Sequence, residues 1–174
     1  MNAKWSVLAV YRDTAARDET VKFCDCLIQR FWPEITFDLV WQDWSALLDK
    51  ESAKESGFKA ERADMIVLAT AGQGTLDRHI RTWLEAALAR RGDREGILVG
   101  LSTPDCSATA GAAATQQYLR KLAHRSGLDY LTTVPQSLCR GVPESVEAYA
   151  LRATKVTSVL DTILHCVPPP PSVL

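Results

Sequence analysis

A chain of 174 residues with 47% apolar and 24% charged side chains has the size and composition of one globular domain with a substantial core. Its formal net charge of −1 gives no electrostatic case for nucleic acid or an anionic membrane as partner. No apolar run approaches the roughly 20 residues needed to cross a bilayer as a helix.

The first apolar run, Trp5 to Val10 (WSVLAV), is too short for the core of a secretory signal and reads as a strand. Five cysteines, an odd count without framework spacing, predict reduced thiols and a cytoplasmic location. A polar loop, residues 11–19, leads to a helix over about residues 20–31, with Val21, Cys24, Leu27, Ile28 and Phe31 on one face and Pro33 as its stop. Residues 35–41 alternate apolar and polar, as an edge strand does. Residues 43–62 predict a broken or irregular helix, because Gly57 falls in its middle.

Residues 63–88 (ADMIVLATAGQGTLDRHIRTWLEAAL) carry the clearest pattern. Met65 to Ala69 is apolar without alternation, as in a parallel strand covered on both faces. Gly72 and Gly74 allow unusual backbone angles, and Thr75 is a candidate N-cap. Leu76, Ile80, Trp83, Leu84, Ala87 and Leu88 then form one helical stripe. A charged turn, RRGDREG, precedes a second central strand at 97–101 and a small-residue loop at 102–111. A helix over about 112–126 turns Tyr118, Leu119, Leu122 and Ala123 inward, with Gly127 as its C′ residue. Residues 128–134 read as a second edge strand. A final helix carries Val146, Ala150, Ala153, Val156, Leu160 and Leu164, and the single domain, 1–167, gives way to a proline-rich tail at 168–174.

Strands alternating with helices imply a parallel, doubly wound sheet. With 5–10, 65–69 and 97–101 central and the alternating strands outside, the expected architecture is a three-layer α/β/α sandwich. Its five-stranded parallel sheet has the order 2-1-3-4-5. Such sheets bind ligands beyond the carboxyl ends of their strands, at the switch point between the first and third. The loops after Val10, Ala69 and Leu101 therefore converge on one crevice. Their chemistry-bearing residues are Tyr11, Arg12 and Thr14 from the first, Thr70, Gly72, Gln73, Gly74 and Thr75 from the second, and Ser102, Thr103 and Asp105 from the third.

Each has an ordinary reading beside the functional one. The glycines suit a tight turn as well as a planar ligand, Arg12 suits a solvated loop, and Ser102, Thr103 and Asp105 suit a helix-capping cluster. Cys24 and Cys26 lie about 200° apart on a helix and cannot share a metal. Cys106 lies near a helix start but has no histidine placed to serve it as a base. His79, His124 and His165 all fall on helices. Trp41 and Trp44 stand near the end of an edge strand, where packing explains them as well as a crevice wall does. There is no P-loop motif and no C-x5-R spacing, and the third strand does not end in an aspartate acceptor.

Two segments, ADMIVLATAGQGTLDRHIRTWLEAAL and GILVGLSTPDCSATAGAAATQQYLRKLAHRSG, resemble the third and fourth strand–loop–helix units of flavodoxin-like proteins, within them the NADPH-dependent FMN reductase type. The likeness extends in element order over most of the chain, and also reaches bacterial proteins of the same layout that carry no assigned activity. The resemblance implies FMN as cofactor, with its phosphate held by the loop after the first strand and its ring near the 70–75 loop. It also leaves a homodimer open to the chain. In this sequence the first loop contains Asp13, Asp18 and Glu19, each repulsive to a phosphate, with Thr14 and Thr20 its usable hydroxyls besides Tyr11. The 70–75 loop lacks the aromatic residue and prolines those reductases set against the flavin. Two functions remain. One is a ligand-sensing or interaction domain with a degenerate flavin site and a small-molecule ligand at the carboxyl end of the sheet. The other is an FMN-dependent NAD(P)H oxidoreductase.

Overall fold

The computed structural model describes residues 3–31, 34–70, 76–103 and 110–132. The final helix and the proline-rich tail expected from the sequence lie outside these residues, as do Gly72, Gln73, Gly74, Thr75 and Asp105. Five strands are described: β1 (Ala3–Tyr11), β2 (Ile35–Asp43), β3 (Met65–Thr70), β4 (Ile97–Ser102) and β5 (Asp129–Thr132). Between them run α1 (Thr14–Phe31), a 3₁₀ turn (Ser45–Leu48) followed by α2 (Lys50–Arg62), α3 (Arg78–Ala89) and α4 (Ala110–Arg125). All pairings are parallel and the order is β2-β1-β3-β4-β5, the flavodoxin-like arrangement expected from the strand patterns.

Successive side chains of the central strands feed opposite faces. Leu8, Val10, Ile66, Leu68 and Leu98 join Ile80, Trp83 and Leu84 of α3 and Leu119 and Leu122 of α4 in one core. Val7, Ala9, Met65, Val67, Ala69, Val99 and Leu101 form the other, against Ala16, Phe23 and Leu27 of α1. Every residue of β3 is buried, which accounts for its unbroken apolar run.

Two helices depart from the sequence expectation. α1 begins at Thr14, not near Thr20, because Asp13 caps it: its carboxylate accepts the Ala16 N–H at 2.9 Å and its carbonyl the Arg17 N–H at 2.9 Å. Asp18 and Glu19 are therefore helical, and Thr20 is a fully buried helical residue whose hydroxyl donates to the Ala16 carbonyl at 2.8 Å. α2 runs unbroken through Gly57. A Cβ there would stand 2.5 Å from the Arg90 guanidinium, so the missing side chain admits Arg90 across the helix, while the Trp83 indole nitrogen approaches to an ordinary 3.8 Å. Trp83 uses that approach to donate to the Ala53 carbonyl at 3.0 Å.

Helix ends otherwise follow their chemistry. Asp49 caps α2 by accepting the Ser52 N–H at 2.9 Å, whereas at α3 the N-cap position falls to Asp77 rather than Thr75, and its side chain makes no capping bond. Gly127 has φ +68° and ends α4 as expected, with Leu128 N–H bonded to the Ala123 carbonyl and Gly127 N–H to that of His124.

Candidate functional site at the carboxyl edge of the sheet

Register brings three of the expected residues, Tyr11, Thr70 and Ser102, to one edge of the sheet. Tyr11 stands beside Ala69, and Thr70 beside Ser102. Arg12 and Asp13 alone separate the end of β1 from the start of α1, so the first loop is far tighter than its sequence implied.

That tightness decides what the loop offers. The first N–H groups of a helix are the natural seat of a phosphate. At α1 the Ala16 N–H is already taken by the Asp13 carboxylate, and Thr14 is an exposed residue of the first turn. Glu19 is bonded to Lys22 at 2.7 Å, one turn further on, and Asp18 is exposed on the helix. Of the three carboxylates, Asp13 alone sits at the helix N-terminus.

Other residues at this edge are largely engaged within the protein. The Thr70 hydroxyl is buried and donates to the Leu101 carbonyl at 3.3 Å. Ser102 Oγ accepts from the Gln116 side-chain amide at 2.9 Å, and Gln116 Oε1 in turn accepts from the Tyr130 hydroxyl. Burial pushes the Tyr130 phenol up to about 12. Thr103 is buried. Tyr11 packs its ring 6.5 Å from that of Trp41, and its carbonyl accepts the Trp44 N–H at 2.8 Å.

Sequence reasoning missed three features here. Gln116 and Tyr130 back the end of β4, and Gly100 was the signal: a Cβ there would meet Tyr130 Oη at 2.6 Å and Gln116 Oε1 at 2.7 Å. The Arg12 guanidinium lies over the Trp44 ring, 6.0 Å from its centroid, at the outer reach of a cation–π contact. The Trp44 indole is 3% exposed, and neither its Nε1 nor His79 Nε2 at the start of α3 has a hydrogen-bond partner among the described residues. Nothing in the sequence announced either.

Cys24 is buried and its thiol is pushed up to about 11 by that burial, whereas Cys26 is exposed, so the pair is one packed and one lateral residue as expected. Among the described residues no cluster of histidine, cysteine, aspartate or glutamate is grouped to hold a metal ion, and no helix is long and apolar enough to cross a membrane.

No protein-family model matches the chain, and no curated protein matches it. Solved structures do. An azoreductase from Bacillus anthracis str. Sterne shares 11% identity over 93% of this chain and 100% of its own, with a TM-score of 0.46. An NAD(P)H:quinone oxidoreductase from Methanothermobacter marburgensis shares 11% over 90% of this chain and 98% of its own, at 0.47. General stress protein 14 from Treponema denticola, solved in complex with FMN, shares 10% over 89% and 99%, at 0.44. Similarity at this level carries nothing about chemistry. The strand order and register themselves establish the flavodoxin-like fold of this chain.

Proposed function

We propose that this protein is a ligand-sensing or interaction domain that keeps the flavodoxin-like scaffold but has given up the phosphate seat of a flavin site. The observation that carries the reading is the Asp13 cap: its carboxylate occupies the Ala16 N–H at 2.9 Å, where a phosphate would need that donor. Two unit charges 4 Å apart repel by about 1 kcal/mol even in a fully aqueous dielectric, and by more where water is excluded. An FMN phosphate carries nearly two charges, so its arrival would be penalised unless the Asp13 carboxylate moved off the Ala16 N–H. Around it, Thr70 and Ser102 already have protein partners.

Titration with FMN tests this, followed by quenching of flavin fluorescence. Wild type is expected to bind weakly or not at all. Asp13→Ser keeps a capping oxygen but removes the charge, so it should tighten binding about fivefold or more, the equivalent of about 1 kcal/mol. Tight, stoichiometric binding by wild type would overturn the proposal and put the FMN-dependent NAD(P)H oxidoreductase reading in its place.

A further inference from the structure

α2 carries an exposed aromatic residue with a concave surface on each side. Phe58 is 51% exposed although it lies on a helix whose inner side packs against the sheet. On one side, a groove of about 350 Å³ opens between α2 and the β1–β2 end of the sheet, with Val40, Leu8 and Ala63 in its lining and Lys59 and Arg62 beside them. On the other, a groove of about 300 Å³ lies between α2 and α3, lined by Ala53, Trp83 and Ala86, with Lys54 and Arg90 among its walls. Phe58 lines both and is the ridge between them.

The charges around the ridge are of one predominant sign. Lys54, Lys59, Arg62 and Arg90 line the two grooves, against Glu55 alone. Glu55 is committed to Lys59 at 2.6 Å, and Arg90 reaches Glu61 only at 3.8 Å. Lys54 and Arg62 have no ion-pair partner among the described residues. This concentration is local, since the whole chain has a formal charge of −1.

We propose that this face of α2 docks an acidic peptide segment of another protein, with one apolar or aromatic side chain packed against Phe58 and carboxylates reaching Lys54 and Arg62. The apolar groove floors supply burial, and the cations at the walls select charge and speed encounter. A second copy of this chain, docked through the same patch about a two-fold axis, would bring the cations of one copy against those of the other. Four cations on a chain of net charge −1 also give too little field for a nucleic-acid backbone.

Panning a phage library of random 12-residue peptides on the purified full chain tests the proposal, with recovered peptides measured by fluorescence anisotropy. The expected result is enrichment of peptides that combine Asp and Glu with a Phe, Leu or Trp. Their affinity should fall about tenfold in Phe58→Ala, as for a central interface anchor. It should fall comparably in Lys54→Glu/Arg62→Glu, and weaken in wild type as salt rises. All three substitutions change exposed side chains, and unchanged circular dichroism would confirm that the variants fold. Peptides without acidic residues, or peptides that bind the variants as well as wild type, would overturn it. So would a wild-type dimer that Phe58→Ala dissociates in sedimentation, because the face would then belong to a second copy.

Discussion

Asp64 joins the amino ends of three strands. Its N–H donates to the Ser6 carbonyl at 2.8 Å, its carboxylate accepts the Ser6 N–H at 2.8 Å, and its carbonyl accepts the Ile97 N–H at 2.9 Å. The second carboxylate oxygen takes Arg94 at 3.0 Å. Partial burial works against the charge, but the Ser6 N–H, the Arg94 guanidinium and the Ser6 hydroxyl outweigh it and hold the group below its ordinary 3.8. A carboxylate with a depressed folded value contributes stability that is fully present above the unfolded value and is lost as pH falls through the folded one. Asp64→Asn should therefore lower the urea midpoint at pH 7, and the gap to wild type should close as the pH falls below the ordinary carboxylate range. An equal gap at both pH values would show that shape, not charge, makes Asp64 matter. Nearby, buried Arg91 donates to the carbonyls of Ala60 at 2.8 Å and Ala63 at 2.6 Å, satisfying the end of α2 from outside the helix, and to that of Glu95 at 2.9 Å in the turn before β4. Neither role was legible in the sequence, where Asp64 and Arg91 are single charged residues among many. Their partners are distant along the chain, and only the closed sheet brings them within reach. Asp13 differs: aspartate before Thr-Ala-Ala is a capping signal, overlooked because the apolar stripe begins later than the helix does.

At the scale of elements, legibility followed the size of the buried side chains. α3 buries Ile80, Trp83, Leu84, Ala87 and Leu88, and that stripe can be read directly from a period of about 3.6. α2 buries Ser56, Gly57 and Ala60, which carry almost no hydrophobic signal, and so it looked broken. The glycine that seemed to end the helix is where Arg90 and Trp83 cross it. Whether that crossing needs a glycine can be decided by comparing magnitudes. Alanine gains about 1 kcal/mol over glycine in a helix interior. Against this, the methyl group meets the Arg90 guanidinium at 2.5 Å, but that is the far end of a flexible side chain that is 48% exposed and tied to Glu61 only at 3.8 Å. An ion pair so exposed is worth well under about 1 kcal/mol. Gly57→Ala should therefore raise the chemical denaturation midpoint, by about 0.5 kcal/mol of stability once some of the gain is lost to moving Arg90. A loss of more than about 1 kcal/mol would mean that Arg90 is fixed across α2 and that the helix depends on it.

For the whole molecule, the sequence distinguished centre from edge because the two differ in how many faces and neighbours a strand has. β3 is bonded to both β1 and β4 and every one of its residues is buried. β5 spans only Asp129–Thr132, pairs among the described residues with β4 alone, and leaves Leu131 48% exposed. Its alternation of exposed and half-buried residues is the pattern that read as an edge. That Tyr11, Thr70 and Ser102 end neighbouring strands at one edge of the sheet followed from strand order alone. What the Thr70 and Ser102 hydroxyls bond to did not follow, since those partners, the Leu101 carbonyl on β4 and Gln116 on α4, lie on other elements. The same arrangement orders local stability. Opening β5 breaks one ladder and exposes little apolar surface, whereas opening β3 breaks two ladders and uncovers both cores. Amide exchange followed by mass spectrometry should therefore show peptides covering 129–132 exchanging well before those covering 65–70. The slowest amides of β3 should exchange only through global unfolding, tracking the stability measured by denaturant. If β5 were as protected as β3, a second neighbour beyond the described residues would have to pair with it, and the edge assignment would be wrong. Faster exchange in β3 than in β5 would contradict the sheet order itself, because no parallel sheet opens from a doubly paired, fully buried strand first.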